Sequence, residues 1–259
     1  MPNRMQRWDG AVNTRRVLPG LIRSANLSFL SGQGRGELLA SGLSRIIDLR
    51  NRAERQIDPA PFVGNPAYLN LPLLPQQHAA IDEIHATGRT NADFYRAYLD
   101  HTGNQMAAIF GALLDAPPGP VLIHCHLGKD RTGLVTALAQ ELCNVPRPRI
   151  AADYAETDQH VAHVYTAQLD AQADPEKRAQ LADFQVSRPE DILAALEHLD
   201  SQWDGIHAHL EAFGTRVSRH WGDGVLDGLQ VSRIQEKSGP DAFQADLGCL
   251  ELSVFPGHS

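Results

Sequence analysis

The residues best suited to chemistry are concentrated in one segment, His124–Gly133, which reads HCHLGKDRTG. An apolar run at 121–123 precedes the segment, and a Leu- and Ala-rich stretch at 132–142 follows it with a helical pattern. The pattern predicts a loop between a buried strand and the N-terminus of a helix. Such a loop presents unpaired backbone N–H groups and the positive end of the helix dipole, so it is expected to bind an anion.

Cys125 and Arg131 are spaced so that both can act on one anion. The positive potential at a helix N-terminus favours the thiolate form of Cys125, which makes it the candidate nucleophile. Arg131 lies six positions later, and its planar guanidinium matches two oxygens of a phosphate. We interpret the loop as a cradle of phosphate size, with a nucleophile at one end and an anion clamp at the other.

The other loop residues are assigned supporting roles. The Thr132 hydroxyl can hydrogen-bond the sulfur, Gly128 permits a tight turn, and Lys129 is expected to add positive charge near the rim. Asp130 brings a carboxylate beside an anion, which disfavours binding and therefore indicates proton transfer. The residues predicted to contact the substrate are His126, Leu127, Gly128, Lys129 and Thr132.

Several of these residues also have other interpretations. Taken alone, Cys125 would be a small buried hydrophobe. A Walker phosphate loop is excluded because Ile123 occupies the position of its first glycine. Cys143 and Cys249 have no comparable setting and are predicted to be inert, and His124 is predicted to be structural. No spacing of histidines, cysteines and carboxylates indicates a metal site, so neither a metal nor a cofactor is expected.

The elements around the loop indicate an α/β fold. Apolar strand patterns alternate with helical patterns, which predicts a single-domain fold with a central, mostly parallel sheet flanked by helices. The strand candidates are 17–24, 44–50, 68–73 and 121–125, and the helical patterns cover 27–42, 91–114, 132–142 and 148–214. From Thr215 the periodicity weakens, so we predict a catalytic domain at 1–214 and an atypical tail at 215–259 that is either poorly structured or idiosyncratic.

Composition narrows the class of protein. The 259 residues are 42% hydrophobic and 21% charged, which is typical of a globular chain. Three cysteines are too few for a disulfide framework and favour a reducing compartment, so a cytoplasmic location is predicted. No apolar run approaches the roughly 20 residues of a membrane helix, so no integral membrane segment is expected.

The charge is distributed unevenly along the chain. The net charge is −8, yet residues 1–56 hold ten arginines and four acidic residues, a net of +6. These arginines are spread singly through apolar patterning, with no stacking aromatics between them. Nucleic acid is therefore not expected as a partner.

The loop resembles that of the bacterial cysteine-dependent protein tyrosine phosphatases, whose pattern HCxxGKDRTG it matches at every fixed position. The segments RVLPGLIRSA at 16–25 and IDLR at 47–50, with Glu54 nearby, also resemble that group. The similarity extends to about Gly214. It implies the tyrosine phosphatase fold and a phosphocysteine mechanism that needs no metal.

By this resemblance, the Cys125 thiolate attacks phosphorus while the loop amides and Arg131 hold the equatorial oxygens. A general acid protonates the leaving group, and water then hydrolyses the phosphocysteine with help from Thr132. The implied substrates are phosphotyrosine, with phosphoserine, phosphothreonine and phosphoinositides as extensions, so the expected partner is a phosphorylated protein or a phosphoinositide. Lys129 could meet a second phosphate.

The identity of the general acid is left open, because the sequence lacks the Trp-Pro-Asp tripeptide found in many tyrosine phosphatases. Asp130 is the first choice, and Asp93 and Asp48 are alternatives. The helical stretch 153–199 is a candidate lid over the pocket.

Two other classes of protein also have an anion-binding loop of this kind. A catalytically silent phosphate-binding module would keep the same fold. A rhodanese-like sulfurtransferase or an arsenate reductase also uses a cysteine in an anion loop, but the RTG ending of the loop favours a phosphatase.

Overall fold

The computed structural model describes residues 5–219 and 229–233, and a five-stranded sheet forms their centre. Its strands are β1 (Arg15–Leu18), β2 (Leu21–Ser24), β3 (Arg45–Asp48), β4 (Tyr68–Asn70) and β5 (Val121–His124). They lie in the order β1-β2-β5-β3-β4. Only the β1–β2 pairing is antiparallel, so the predicted α/β fold with a mostly parallel sheet is confirmed.

Helices cover both faces of this sheet. They are α1 (Gly32–Ala40), α2 (Arg52–Ile57), α3 (Ala79–Thr87), α4 (Asn91–His101), α5 (Gly103–Leu114), α6 (Asp130–Leu142), α7 (Arg147–Ala171), α8 (Pro175–Gln185), α9 (Pro189–Trp203) and α10 (Gly205–Ala212). No helix within 5–219 or 229–233 is both long and apolar enough to cross a membrane.

Strand β5 is the middle of the sheet and leads into the loop at 125–129. All four of its residues are buried, as expected for a parallel strand covered on both faces. Val121 and Ile123 belong to the larger core, which includes α4, α5, α6 and α9, while Leu122 belongs to a smaller core with Trp8 and Phe62. Because both faces are packed, the end of β5 is a rigid origin for the loop.

The helical pattern at 91–114 forms two helices instead of one. The break lies at Thr102, whose φ of −122° departs from helical geometry. Its hydroxyl donates to the Tyr98 carbonyl at 2.6 Å. Similarly, the pattern at 27–42 forms a 3-10 turn, Leu27–Phe29, and then α1, with Ser31 as its N-cap.

Two segments of the predicted tail are strands, so the poorly structured alternative does not apply to them. Strands β6 (Thr215–Arg219) and β7 (Leu229–Arg233) pair antiparallel. The Val217 side chain is buried in the larger core, and the Thr215 hydroxyl donates to the Ala107 carbonyl at 3.3 Å. The rest of the predicted tail lies outside the described residues, and the division at residue 214 stays a prediction.

Candidate active site

The loop that joins β5 to α6 lies at the carboxyl edge of the parallel strands. The strand register places His124, the last residue of β5, beside Ser24 of β2 and Asp48 of β3. Helix α6 begins at Asp130 without a side-chain cap, so its first backbone N–H groups are not taken by a capping residue. Ligands of open α/β sheets bind at this edge.

The carbonyl groups of the loop are turned toward the protein framework. Three consecutive carbonyl oxygens accept hydrogen bonds from residues near the N-terminus. The donors are Asn26 N to His126 at 2.7 Å, Asn13 Nδ2 to Leu127 at 2.9 Å, and Arg23 Nη2 to Gly128 at 2.6 Å. Since N–H and C=O of one peptide point in opposite directions, the loop's N–H groups are presented to the other side, where an anion can bind.

Gly128 is required at its position by the backbone. Its φ is +69°, and a Cβ added there would lie 2.4 Å from the carbonyl oxygen of Ser24. Both the left-handed conformation and the close approach exclude a side chain.

A buried ion cluster supports the loop from behind. The Asp153 carboxylate of α7 contacts Arg15 Nε at 3.0 Å and Arg23 Nη1 at 2.7 Å. All three side chains are at most 3% exposed. Because Arg23 also holds the Gly128 carbonyl, the cluster couples the position of α7 to the shape of the loop.

Arg131 is held by the carboxylate of Glu54, for which the sequence alone predicts no role at the site. Nη1 and Nη2 of Arg131 donate to the two carboxylate oxygens of Glu54, each at 2.6 Å. Burial opposes the charge on Arg131, but the bond to Glu54 outweighs it and raises the pKa of Arg131 further. Burial likewise opposes the charge on Glu54, and the contact with Arg131 nevertheless lowers the pKa of that carboxyl.

Glu54 is itself fixed by the start of α2. Its backbone N–H and carboxylate form a reciprocal capping box with Asn51. The sequence N-R-A-E at 51–54 has the spacing of such a box, so this signal could have been found before the structure was known.

Cys125 and His124 lie at the base of the loop. Cys125 is 3% exposed and His124 is fully buried. His124 Nδ1 lies 3.1 Å from the Cys125 carbonyl, and its Nε2 lies 3.9 Å from Asp48 Oδ2. Burial lowers the pKa of His124 despite the neighbouring Asp48, so the imidazole is neutral near pH 7 and supports the loop as an uncharged group.

Of the three aspartates considered as general acid, the structure brings one to the cavity. Asp130 lines it, with a side chain 45% exposed. Asp48 is fully buried beneath the loop, where Arg50 and the Tyr68 hydroxyl bind its carboxylate. Asp93 caps α4 and accepts from the backbone N–H of Thr90.

Lys129 and Thr132 differ from their expected settings. Lys129 is 3% exposed and not at a rim. Its ammonium group donates to the Phe184 carbonyl and lies 3.2 Å from Asp130 Oδ1. The Thr132 hydroxyl is buried and has no hydrogen-bond partner within the described part of the chain, so the predicted bond to the Cys125 sulfur is not observed there.

A cavity of 440 Å³ opens above Asp130 and Arg131, and aromatic side chains form much of its wall. Phe94 and Phe184 lie with ring centroids 5.3 Å apart. The Tyr98 hydroxyl lies 2.8 Å from His85 Nε2. Phe184 belongs to α8, so part of the stretch 153–199 contributes to the cavity wall, and its role as a lid stays a prediction.

A cysteine and an arginine six residues apart, in a loop between a parallel strand and a helix N-terminus, define the class of cysteine-dependent phosphatases. Residues 9–219 match the family model described as the tyrosine phosphatase family, and the chain therefore belongs to this family. Its members are hydrolases that act through a phosphocysteine intermediate.

Named relatives are similar over most of the chain. A tyrosine-protein phosphatase of Nostoc commune is 27% identical over 207 residues, which cover 74% of this chain and 69% of the relative. The triple specificity protein phosphatase PtpB of Mycobacterium tuberculosis is 28% identical over 250 residues, which cover 80% and 90%. The solved core catalytic domain of the PP-IP phosphatase SIW14 from S. cerevisiae is 15% identical, with a TM-score of 0.39, and the match covers 66% of this chain and 85% of that one.

Proposed function

We propose that this protein hydrolyses phosphate monoesters with Cys125 as the nucleophile, Arg131 as the anion clamp and Asp130 as the general acid. The observation that carries the proposal is the pairing of Arg131 with Glu54. It lies beside a loop whose carbonyl groups accept hydrogen bonds from Asn26, Asn13 and Arg23. This arrangement holds positive charge and backbone N–H groups in fixed positions before any substrate binds. Such preorganisation stabilises the charge of a phosphoryl transition state without a rearrangement cost.

In the first step the Cys125 thiolate forms a bond to phosphorus while the bond between phosphorus and the ester oxygen breaks. The loop amides and the Arg131 guanidinium hold the equatorial oxygens. Asp130 gives its proton to the departing oxygen. In the second step the Asp130 carboxylate takes a proton from water as that water attacks the phosphocysteine, and the Cys125 thiolate leaves.

Phosphotyrosine is the substrate class that the cavity favours. Phe94, Tyr98 and Phe184 line the cavity above the loop, and an aromatic ring packs well against such a wall. Phosphoserine, phosphothreonine and phosphoinositides remain part of the proposal, supported by the triple specificity in the name of the M. tuberculosis relative. The proposed partner is accordingly a phosphorylated protein or a phosphoinositide.

The contact of Lys129 and the position of α8 both affect how larger substrates would bind. The Lys129 ammonium group is committed to the Phe184 carbonyl, so it would reach a second phosphate only by leaving that carbonyl. Phe184, Leu181 and Gln185 of α8 line the cavity, and we include α8 in the proposal as the part of the predicted lid that lies over the site. The cytoplasmic location expected from the cysteine count stays a prediction.

A substrate panel tests the proposal. Phosphate release would be measured from phosphotyrosine and phosphoserine peptides and from phosphoinositides, with wild type and Cys125→Ser. We expect release from phosphotyrosine by wild type and none by Cys125→Ser, which should still bind inorganic phosphate. Binding of phosphopeptide by wild type without release would instead indicate a silent phosphate-binding module.

A further inference from the structure

Two buried tyrosines form a hydrogen-bonded chain that ends on Asp130. The Tyr95 hydroxyl of α4 donates to Asp130 Oδ1 at 2.8 Å. The Tyr154 hydroxyl of α7 lies within hydrogen-bond distance of the Tyr95 oxygen. A tyrosine hydroxyl has one proton, and since Tyr95 gives its proton to the carboxylate, Tyr154 is the donor to Tyr95. The chain therefore runs from Tyr154 through Tyr95 to Asp130.

The packing of these tyrosines leaves them little freedom. Tyr95 is fully buried and Tyr154 is 1% exposed. Their rings meet edge to face, with centroids 6.0 Å apart. Burial raises the pKa of both Tyr95 and Tyr154, and the nearby charge of Asp130 raises it further. Both hydroxyls therefore stay protonated, and Tyr95 remains a donor to Asp130 throughout the neutral pH range.

The contacts of Asp130 distinguish its two carboxylate oxygens. Oδ1 accepts from the Tyr95 hydroxyl and lies 3.2 Å from the Lys129 ammonium group. No hydrogen bond to Oδ2 is found within the part of the chain that the structure describes. A proton on the carboxyl group is therefore favoured on Oδ2, because Oδ1 already faces two donors.

We propose that Tyr95 is a positioning residue for the general acid, with its hydroxyl holding Asp130 Oδ1 so that Oδ2 carries the transferred proton. Tyr154 supports it by holding the Tyr95 hydroxyl. The inference rests on the proposed phosphatase function. During the first step the bond between Oδ2 and its proton breaks, and the proton goes to the leaving oxygen. The charge that remains on the carboxylate is stabilised by the hydrogen bond from Tyr95.

A series of aryl phosphates with good and poor leaving groups tests this role in Tyr95→Phe. General acid catalysis matters most when the leaving phenolate is strongly basic. We expect kcat/KM of Tyr95→Phe to fall about tenfold for the poorest leaving groups, the effect of one hydrogen bond to a charged group, and to change little for the best. Tyr154→Phe should also lower kcat/KM for the poorest leaving groups, but by a smaller factor. An equal loss across the series would overturn the proposal.

Two further variants separate positioning from general damage. Tyr68→Phe removes a comparable bond, from the Tyr68 hydroxyl to Asp48 at 2.8 Å, and should leave the dependence on the leaving group as in wild type. Adding Tyr95→Phe to Asp130→Asn should cause no further loss of kcat/KM, since both substitutions remove the same function. Fully additive losses in the double variant would contradict the inference.

A measurement that needs no turnover distinguishes this inference from the proposed function. The protein would be labelled with carbon-13 at its aspartate carboxyl groups, and Asp130→Asn would identify the Asp130 signal. Without the Tyr95 hydroxyl, Oδ1 of Asp130 loses its hydrogen-bond donor, so the Asp130 carboxyl signal should move at fixed pH in Tyr95→Phe and stay in place in Tyr68→Phe. An Asp130 signal that does not move in Tyr95→Phe would overturn the inference even in an active phosphatase. A moved signal in a protein that releases no phosphate would instead sink the proposed function.

Discussion

The Glu54 carboxylate accepts two hydrogen bonds from the Arg131 guanidinium, and each is 2.6 Å long. The planar fork of an arginine has five N–H donors, and no other hydrogen bond of Arg131 is found among the residues described. The pair thus fixes the plane of the guanidinium and leaves donors for an anion. It also links α2 to the first turn of α6, two elements far apart in sequence.

Glu54→Gln should weaken the anion clamp. The amide keeps the shape of the side chain but removes its charge, and it can accept on only one oxygen. Because a hydrogen bond between charged groups is worth about 1.5–3 kcal/mol, we expect kcat/KM on an aryl phosphate to fall at least about tenfold. Inorganic phosphate should also inhibit less strongly.

Glu83→Gln is the matched control, because Glu83 is an exposed glutamate of α3. It should have the kinetics of wild type. Unchanged kinetics in Glu54→Gln would mean that Arg131 does not need this carboxylate.

Gly128→Ala should damage both stability and activity. The positive φ and the contact with the Ser24 carbonyl predict a cost of about 2 kcal/mol in the free energy of unfolding. The displaced loop should lower kcat about a hundredfold. Urea unfolding and steady-state kinetics would measure the two effects.

Gly36→Ala is the control, and it should have the opposite effect on stability. Gly36 lies in α1 with nothing within 4 Å of an added Cβ. There alanine should stabilise the protein by ~0.5–1 kcal/mol. A Gly128→Ala protein with the stability and activity of wild type would contradict the proposed backbone constraint.

Asp153→Asn should be strongly destabilising. The substitution removes the charge that faces both Arg15 and Arg23 in a buried setting, and loss of one partner from a buried ion pair costs about 3 kcal/mol. Chemical denaturation would measure the change. Asp170→Asn, in the same helix, removes an exposed contact with Arg178 at 3.2 Å and should change stability little. Equal effects of the two substitutions would refute the importance of the buried cluster.

Stability should fall as the pH decreases below neutrality. Burial lowers the pKa of His124 and His209 in the folded protein below the usual 6.5. The unfolded chain therefore binds protons that the folded chain does not, and the free energy of unfolding decreases as the pH falls through about 6.5. Each such histidine contributes up to ~1.4 kcal/mol per pH unit.

His209 allows this effect to be tested away from the site. Its Nε2 lies 2.9 Å from the Leu99 carbonyl. Replacement by glutamine should make the dependence of stability on pH shallower between about pH 5 and about pH 7. A denaturation midpoint that does not change with pH in wild type would contradict the expectation.

Local patterns predicted the centre of the fold and the loop. The apolar run before Cys125 and the helical pattern after it correctly placed β5 and α6, since both follow from periodicity and burial. The same reasoning missed the break at Thr102 and the β6–β7 pair. The break lies at Thr102, whose hydroxyl binds the carbonyl of the preceding turn, and the apolar pattern does not mark this position. The β6–β7 pairing joins two segments, and neither segment determines it alone.

The capping box that fixes Glu54 is visible in the sequence, but the pairings of the supporting side chains with the loop are not. Glu54 lies 77 residues from Arg131, and Tyr95 lies 35 residues from Asp130. Nothing in the local pattern of α4 separates Tyr95, which binds Asp130, from Tyr98, whose hydroxyl lies against His85. Only the packing of α4 against α6 and α7 makes that choice.

The formation of a phosphocysteine at Cys125 is the central claim, and trapping the intermediate tests it most directly. Wild type would be mixed with an aryl phosphate, quenched in acid within the first turnover, and digested for mass spectrometry. The account predicts one added phosphoryl group on the peptide that contains Cys125, and no such adduct in Cys125→Ser. Turnover by Cys125→Ser at the rate of wild type, or a phosphoryl group on another residue, would contradict it.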